Sequence, residues 1–263
     1  MSQPPVPFNA LPAPRLLPVT AAFMHMLNSI RHNWRVAVRH GLPWIALLTL
    51  FKAWSLWSPQ SPGDSFEQTM NWADFLALGV GIVATSSIAL SWHRYILLDE
   101  PPATVQPFRM DGLVWRYLGR SCFIGAVCIA PILALGLLLE ATPVALLPIW
   151  LALGFAFVVI VVRLSTSLVA TAVGRNDFGL KSALIATRGN MVRILGLIAL
   201  TGLVEVILFL IVALPMAAAQ PTPPAWLLPA TLLASVPIQL IAVLFNITLL
   251  TTLYGFFVER RDF

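Results

Sequence analysis

What this sequence has least of is charge. Asp, Glu, Lys and Arg make up only 10% of its 263 residues, against roughly 25% in a soluble domain. With 59% hydrophobic residues and a mean hydropathy of +0.86, the chain cannot cover a water-facing surface with polar groups, so the bilayer must be its solvent. Cysteine is almost absent. Cys122 and Cys128 both sit inside one apolar run, which excludes a secreted disulfide framework, and neither has a Cys or His at metal-ligand spacing. They read as small apolar residues. Soluble-enzyme signatures are missing: there is no phosphate-binding loop, no dinucleotide fingerprint, no GxSxG elbow and no HExxH. The four histidines are His25, His32, His40 and His93. His25 and His32 share a helix face, which permits a metal site, but no carboxylate joins them, and a solvated polar face is the plainer reading. His93 reads as an interfacial residue beside Arg94. No cofactor is implied. The proline-rich N-terminus lacks the charged start and apolar core of a cleaved signal peptide.

What is present is a set of six apolar runs, at about 41–58, 72–94, 121–139, 144–163, 194–216 and 226–257. Each approaches or exceeds the 20 or so residues a helix needs to cross a bilayer core. The expected fold is all-α, a polytopic membrane protein of six spans. Residues 1–19 form a disordered cytoplasmic tail and residues 20–263 the membrane domain. Between the tail and the first run, Phe23, Leu27, Ile30, Trp34 and Ala37 recur at steps of three and four, with His25, Asn28, His32, Arg35 and Arg39 opposite. That pattern predicts a basic amphipathic helix over 20–40, suited to the headgroup region. A second basic segment spans 109–120. The third span holds Pro131 and the sixth Pro237, each a potential kink.

The stretch from Arg163 to Arg193 leaves one run, turns at Gly174-Arg175-Asn176-Asp177, makes a short basic helix capped by Asn176 or Asp177, stops near Gly189-Asn190 and enters the next run. Arg163, Ser167, Ala170 and Gly174 form one small and polar stripe suited to close helix packing. The same plan of basic segment, outward span and inward span recurs three times, entered at Asn33-Trp34-Arg35, Val114-Trp115-Arg116 and Met191-Val192-Arg193. Hairpins with one-sided charge look alike, so duplication and convergence both remain open.

Charge sets the orientation. Arg31, Arg35, Arg39, Arg94, Arg109, Arg116, Arg120, Arg163, Arg175, Lys181, Arg188, Arg193, Arg260 and Arg261 all fall on one side of the six runs, and Lys52 alone does not. The positive-inside bias therefore places both termini in the cytoplasm. The formal net charge of +5 belongs to anionic headgroups on that side, with Arg35, Arg94, Arg116, Arg163, Arg188 and Arg193 as the candidate interfacial residues, and not to nucleic acid.

Two charges lie inside the runs. Lys52 is 13 residues beyond Arg39 and Glu205 is 12 beyond Arg193, so both reach roughly 18–20 Å from their basic anchors. Ser86, Ser87 and Gln239 fall at comparable depth. Ionisable residues there pair or face a cavity. One reading is a polar midplane site for a solute or proton. The other is a Lys52–Glu205 ion pair and a few hydrogen bonds that fix helix order. Lys52 could also snorkel outward toward Trp54 and Trp57.

At WHRYILLDE (Trp92 to Glu100) and RLSTSLVATAVG…LKSALIATRGN (Arg163 to Asn190) the chain resembles a group of alphaproteobacterial integral membrane proteins. More distantly it resembles the membrane region of some glycerophosphodiester phosphodiesterases and YciC-type inner-membrane proteins. The resemblance implies a bacterial inner-membrane location and transfers no catalytic residue. The expected function is a non-enzymatic scaffold or an assembly or envelope component that packs against a membrane-protein partner or lipid. The alternative is a small-solute or lipid transporter.

Overall fold

The computed structural model describes residues 15–57, 72–101, 108–141, 147–220, 224 and 226–263. Among them lie eight helices: α1 (Val19–His32), α2 (Trp34–Trp57), α3 (Trp72–Leu98), α4 (Gly112–Ala141), α5 (Leu147–Ala172), α6 (Leu180–Ala186), α7 (Met191–Ala218) and α8 (Leu227–Phe257). The protein is all-helical in this part. Five stretches are long and apolar enough to cross a membrane: Phe75–Leu98, Gly112–Ala134, Pro148–Ala172, Met191–Ala218 and Leu227–Phe257. These features make it a multi-pass membrane protein. α2, at 24 residues, has the length but is less apolar, carrying Arg35, Arg39, Pro43 and Lys52. The outer turn expected at Glu140 to Pro143 and the loop after Trp57 lie largely outside the described residues.

The helix boundaries follow local chemistry. Asn33 ends α1: its backbone N–H and its side-chain amide both donate to the Ser29 carbonyl, at 3.2 and 2.9 Å. An asparagine that competes for helix carbonyls in this way breaks the ladder. Its own carbonyl then accepts from Val36 and Ala37 to start α2. The single amphipathic helix expected over 20–40 is therefore two helices, and Trp34 to His40 belongs to the first turns of α2. Asp111 caps α4, its Oδ1 accepting from the Leu113 and Val114 amides at 3.1 Å each. From there α4 runs without a break through Pro131. Arg116 and Arg120 thus sit on a spanning helix, not on a separate interfacial one.

α5 continues past Arg163 and stops at Gly174, whose φ of +80° suits glycine. Arg175 N–H bonds the Ala170 carbonyl at 2.8 Å and Gly174 N–H the Thr171 carbonyl at 3.2 Å, the two bonds of a Schellman stop. The short helix that follows is capped at Gly179 without a side-chain bond. The expected caps do not serve: Asp177 is held by Arg175 at 2.9 Å instead. Gly189, at φ +78°, ends that segment as its position predicts.

α2 with α3, α4 with α5, and α7 with α8 pack as hairpins, and α8 is the hub, touching α1, α2, α3, α5 and α7. Gly41 allows α2 to approach α8 closely; a Cβ there would fall 2.1 Å from Leu240 Cδ1. Burial is lopsided. From Leu240 to Phe257 most of α8 is buried, together with Trp92, Val114, Ser167, Ala170, Phe178, Ile194 and Leu197. These residues lie at the end where the arginines gather, called here the basic end. Toward the opposite, apolar end the helices expose Phe123, Leu133, Phe155, Phe209 and Leu233. Leucine and phenylalanine faces of this kind are what lipid tails solvate.

Candidate functional site

The basic end is built from arginines that reach helix-terminal carbonyls, groups no helix can satisfy for itself. Arg94 donates to the Ala172 carbonyl at the end of α5 at 2.9 Å and pairs with Glu100. Glu100 also takes Arg109 at 3.1 Å, and Arg109 takes Asp111 at 2.8 Å. Arg120 bonds Thr171 Oγ1 at 3.0 Å and the Phe178 carbonyl at 3.2 Å. Arg163 bonds Thr187 Oγ1 at 2.7 Å and the Leu184 carbonyl at 2.5 Å, tying α5 to α6. Arg261 caps α3 through the Leu97 carbonyl at 2.9 Å. Arg94, Arg163 and Arg261 place positive charge where a helix dipole is negative, while Arg120 ties α4 to the turn between α5 and α6.

The first described residues are pinned in the same way. Asn190 accepts from the Leu17 amide at 2.8 Å and donates to the Arg15 carbonyl at 2.8 Å, while Arg193 donates to the Leu17 carbonyl at 2.9 Å. Arg15 pairs with Asp262 and lies 4.5 Å over the Phe256 ring. The last five residues of the expected tail are thus part of the packed structure; residues 1–14 lie outside the described part.

Within this end is a closed polar chain that the sequence did not reveal. His93 is fully buried, not interfacial. Its Nδ1 lies 2.8 Å from Thr251 Oγ1 and its Nε2 3.3 Å from the Tyr117 hydroxyl. Thr251 gives its hydroxyl proton to the Ile247 carbonyl at 2.9 Å. Its oxygen can therefore only accept from His93, which fixes the proton on Nδ1 and makes Nε2 the acceptor from Tyr117. Donors and acceptors match throughout, across α4, α3 and α8. The only sequence signal was a histidine flanked by Trp92 and Arg94, which did not distinguish burial from an interface.

Thr251 of this chain also lines a cavity of about 350 Å³. His25, Asn33, Tyr95, Asp99, Thr251 and Arg261 are among its lining residues. The Thr252 hydroxyl, also on the lining, has no hydrogen-bond partner among the described residues. The His25 ring packs on Phe263 at 4.7 Å. Burial, and then the Arg261 charge, push its pKa below the ordinary 6.5. Burial raises Glu259 above the usual carboxylate range, against the pull of Arg261.

The five midplane residues are not brought together by any hydrogen bond or ion pair among the described residues. Ser87 accepts from the Trp44 indole at 3.2 Å. Ser86 bonds the Ile82 carbonyl at 2.9 Å, inside its own helix. Gln239 bonds Ser235 at 3.0 Å. Lys52 is exposed. Glu205 does not pair with it; the carboxylate accepts from Asn246 Nδ2 at 2.5 Å instead. Of the six interfacial candidates, Arg94, Arg163 and Arg193 hold helix ends or the pinned segment, while Arg35, Arg116 and Arg188 are exposed, Arg35 lying over Trp34. Among the described residues no His, Cys, Asp and Glu cluster could hold a metal ion. Comparison with family models, with curated proteins and with solved structures finds no match to this chain.

Proposed function

We propose that this chain is a non-catalytic scaffold of a bacterial inner membrane, an assembly or envelope component with six spans and both termini in the cytoplasm. α2 serves as the sixth span, and its lower hydropathy is compensated by packing between α3 and α8. The inner-membrane location draws on the resemblance of Trp92 to Glu100 and Arg163 to Asn190, and the orientation on the one-sided arginines. The observation that carries the scaffold reading is the use made of polar groups. Arg94, Arg163 and Arg261 each bond helix-end carbonyls, and Arg120 bonds the Phe178 carbonyl in the turn between α5 and α6. The His93 chain is closed. Polar chemistry that could have served a reaction instead locks helix to helix. The exposed basic residues suit anionic headgroups on the cytoplasmic side.

Reporter fusions test the frame. Those after Pro62, Glu140 and Pro223 should read periplasmic, and those after Asp99, Asp177 and Phe263 cytoplasmic; one inverted site defeats the six-span arrangement. For the function, Lys52→Met and Ser86→Ala should support growth or envelope integrity as the wild type does in a deletion strain. A second reading, a small-solute or lipid transporter, is favoured by the 350 Å³ cavity that Thr251 lines. Loss of cellular function in those two variants, with normal abundance and melting, would move the balance to transport.

A further inference from the structure

The groove between α7 and α8 is filled at one end only. At the basic end α1 lies in it, packed on both helices. Its Ala22 and Met26 share a buried cluster with Ile194, Leu197, Leu249 and Leu253, and the Phe23 ring meets Phe245 at 6.5 Å. Further along α8, toward the apolar end, no helix among the described residues covers the same groove. There the surface of α8 turns polar. Ser235, Gln239, Ala242 and Asn246 recur at steps of four, three and four, which aligns them on one face. Gln239 and Asn246 are exposed. Asn246 donates to Glu205 of α7 at 2.5 Å and to the Ala242 carbonyl at 3.1 Å. Gln239 donates to Ser235 at 3.0 Å. The side-chain carbonyl oxygens of both amides are left without a partner among the described residues.

These residues lie in the middle of two apolar helices, Met191–Ala218 and Leu227–Phe257. Hydrocarbon offers an exposed amide nothing to bond, so such a group drives its helix toward another. The chemistry of the stripe identifies the occupant. Gln239 spends one N–H on Ser235 and keeps the other beside its unpartnered carbonyl oxygen, so its amide can donate to and accept from a copy of itself, whereas both N–H groups of Asn246 are already spent on Glu205 and the Ala242 carbonyl. Two molecules inserted in the same sense are related by an axis along the membrane normal, which runs α8 parallel to its counterpart and in register. Gln239 then faces Gln239 and the two amides exchange hydrogen bonds, with Asn246 seven residues further along the same seam. The four-three-four spacing is the seam of a two-helix coil, and Ala242 and Ser235 are small enough to let the backbones close. A cationic partner would answer Glu205 and leave the amides bare.

We propose that this face binds a second copy of the chain, in a symmetric parallel dimer with the Ser235–Gln239–Ala242–Asn246 stripe as its seam and Glu205 holding each Asn246 in place. The proposal rests on the reading above only in placing α7 and α8 in the bilayer.

The test uses the full chain with Cys122→Ala and Cys128→Ala, reconstituted in lipid vesicles at low protein-to-lipid ratio and oxidised with copper phenanthroline. Ala242→Cys should give a disulfide-linked dimer, and Phe123→Cys, at a lipid-facing position on α4, should not. Adding Asn246→Leu and Gln239→Leu should lower the dimer yield by about tenfold. Energy transfer between two tagged copies of the chain with its natural cysteines provides the same readout should the cysteine-free background fold poorly. Equal cross-linking at both positions, no cross-link at Ala242→Cys, no loss on removing the amides, or cross-linking in cells only to a different membrane protein would each overturn the dimer. A monomer whose reporter fusions read as expected sinks the dimer and leaves the scaffold reading standing. An inverted fusion sinks the six-span scaffold reading whatever the cross-linking shows.

Discussion

The two ends of this bundle solve the same packing problem with different solvents. At the basic end the helices are held by side chains that reach one another: Arg163 to α6, Arg94 to α5, Arg120 to the turn after α5, and His93 across three helices. Large side chains such as Trp92, Phe178 and Tyr254 are fully enclosed there. At the apolar end the helices enclose little, with Phe209 66% and Leu233 73% exposed. Specific helix order is therefore encoded at one end, and the other is left to lipid or to a neighbouring helix. Stability should be equally unequal.

The sharpest form of that contrast is a pair of identical substitutions. Phe178 is 0% exposed and packs edge-on against Tyr254 at 5.8 Å. Phe178→Ala should cost about 3–5 kcal/mol, the range for emptying an aromatic site in a packed interior. Phe209→Ala removes the same atoms from a lipid-facing position and should change stability by less than about 0.5 kcal/mol. Denaturation in one mild detergent, followed by helicity, measures both. Similar losses at the two sites would show that the apolar end is as tightly built as the basic one.

A smaller effect separates packing from polar bonding within the basic end. His93→Leu removes the middle of a closed chain and strands the Tyr117 hydroxyl, while Thr251 keeps its bond to the Ile247 carbonyl. Thr251→Val strands only the Nδ1 proton. Each should cost about 1–3 kcal/mol, the penalty of a buried group left unbonded. The double variant should lose less than the sum, because residues in one network couple. Strict additivity in a thermal-melt cycle would mean that the chain does not act as a unit.

Which of these features could be read from the sequence follows from the distance over which each is determined. The Gly174 turn, the Gly189 stop, the passage of α5 beyond Arg163 and the limits of α8 are set by a few neighbouring residues, and all were legible. So was the gathering of arginines at one end, because antiparallel hairpins alternate it. The break at Asn33 was missed because a hydrophobic stripe continues across it, while the competing bond to Ser29 comes from a side chain that periodicity ignores. His93 was misplaced because its partners are 24 and 158 residues away. The Asn246 partner of Glu205, which neither reading of the midplane named, was missed for a related reason. Depth along a helix can be counted from the basic anchor, but the neighbouring helix cannot, and α7 packs on α8, which brings Asn246 to the carboxylate.

Acidity offers a gentler probe, centred on His25 in the cavity wall. His25 is held below its ordinary pKa of 6.5 by burial and by Arg261. Between that lowered value and 6.5 the unfolded chain binds more protons than the folded one, so stability rises with pH through the window and falls on acidification. Glu259, raised by burial, works in the opposite sense above its ordinary 4.5, where the folded chain holds the extra proton. Acidification from about pH 7.5 to about pH 5.5 should lower the melting temperature of the natural chain, since an unperturbed histidine titrates in that interval. His25→Asn should flatten the curve there. An unchanged slope would place the titrating group elsewhere.

The smallest expected effect is an interaction that is absent. Lys52 and Glu205 lie at matching depth, and a buried ion pair between them would make each single loss cost about 3–5 kcal/mol while the double replacement recovered most of it. The structure joins Glu205 to Asn246 and leaves Lys52 exposed on α2, and α2 packs on α3 and α8. Lys52 is free to run its stem along the helix and carry its ammonium toward the headgroups. Lys52→Met should therefore leave stability within about 0.5 kcal/mol of the natural chain. Glu205→Leu should act alone, by freeing the Asn246 amide. In dilute detergent, where one copy is present per micelle, the two changes should add to within about 0.3–0.5 kcal/mol, as distant sites do. Recovery in the double variant would instead bring Lys52 onto Glu205 across the α8 face, and would require α2 to pack on the far side of the stripe from where it lies.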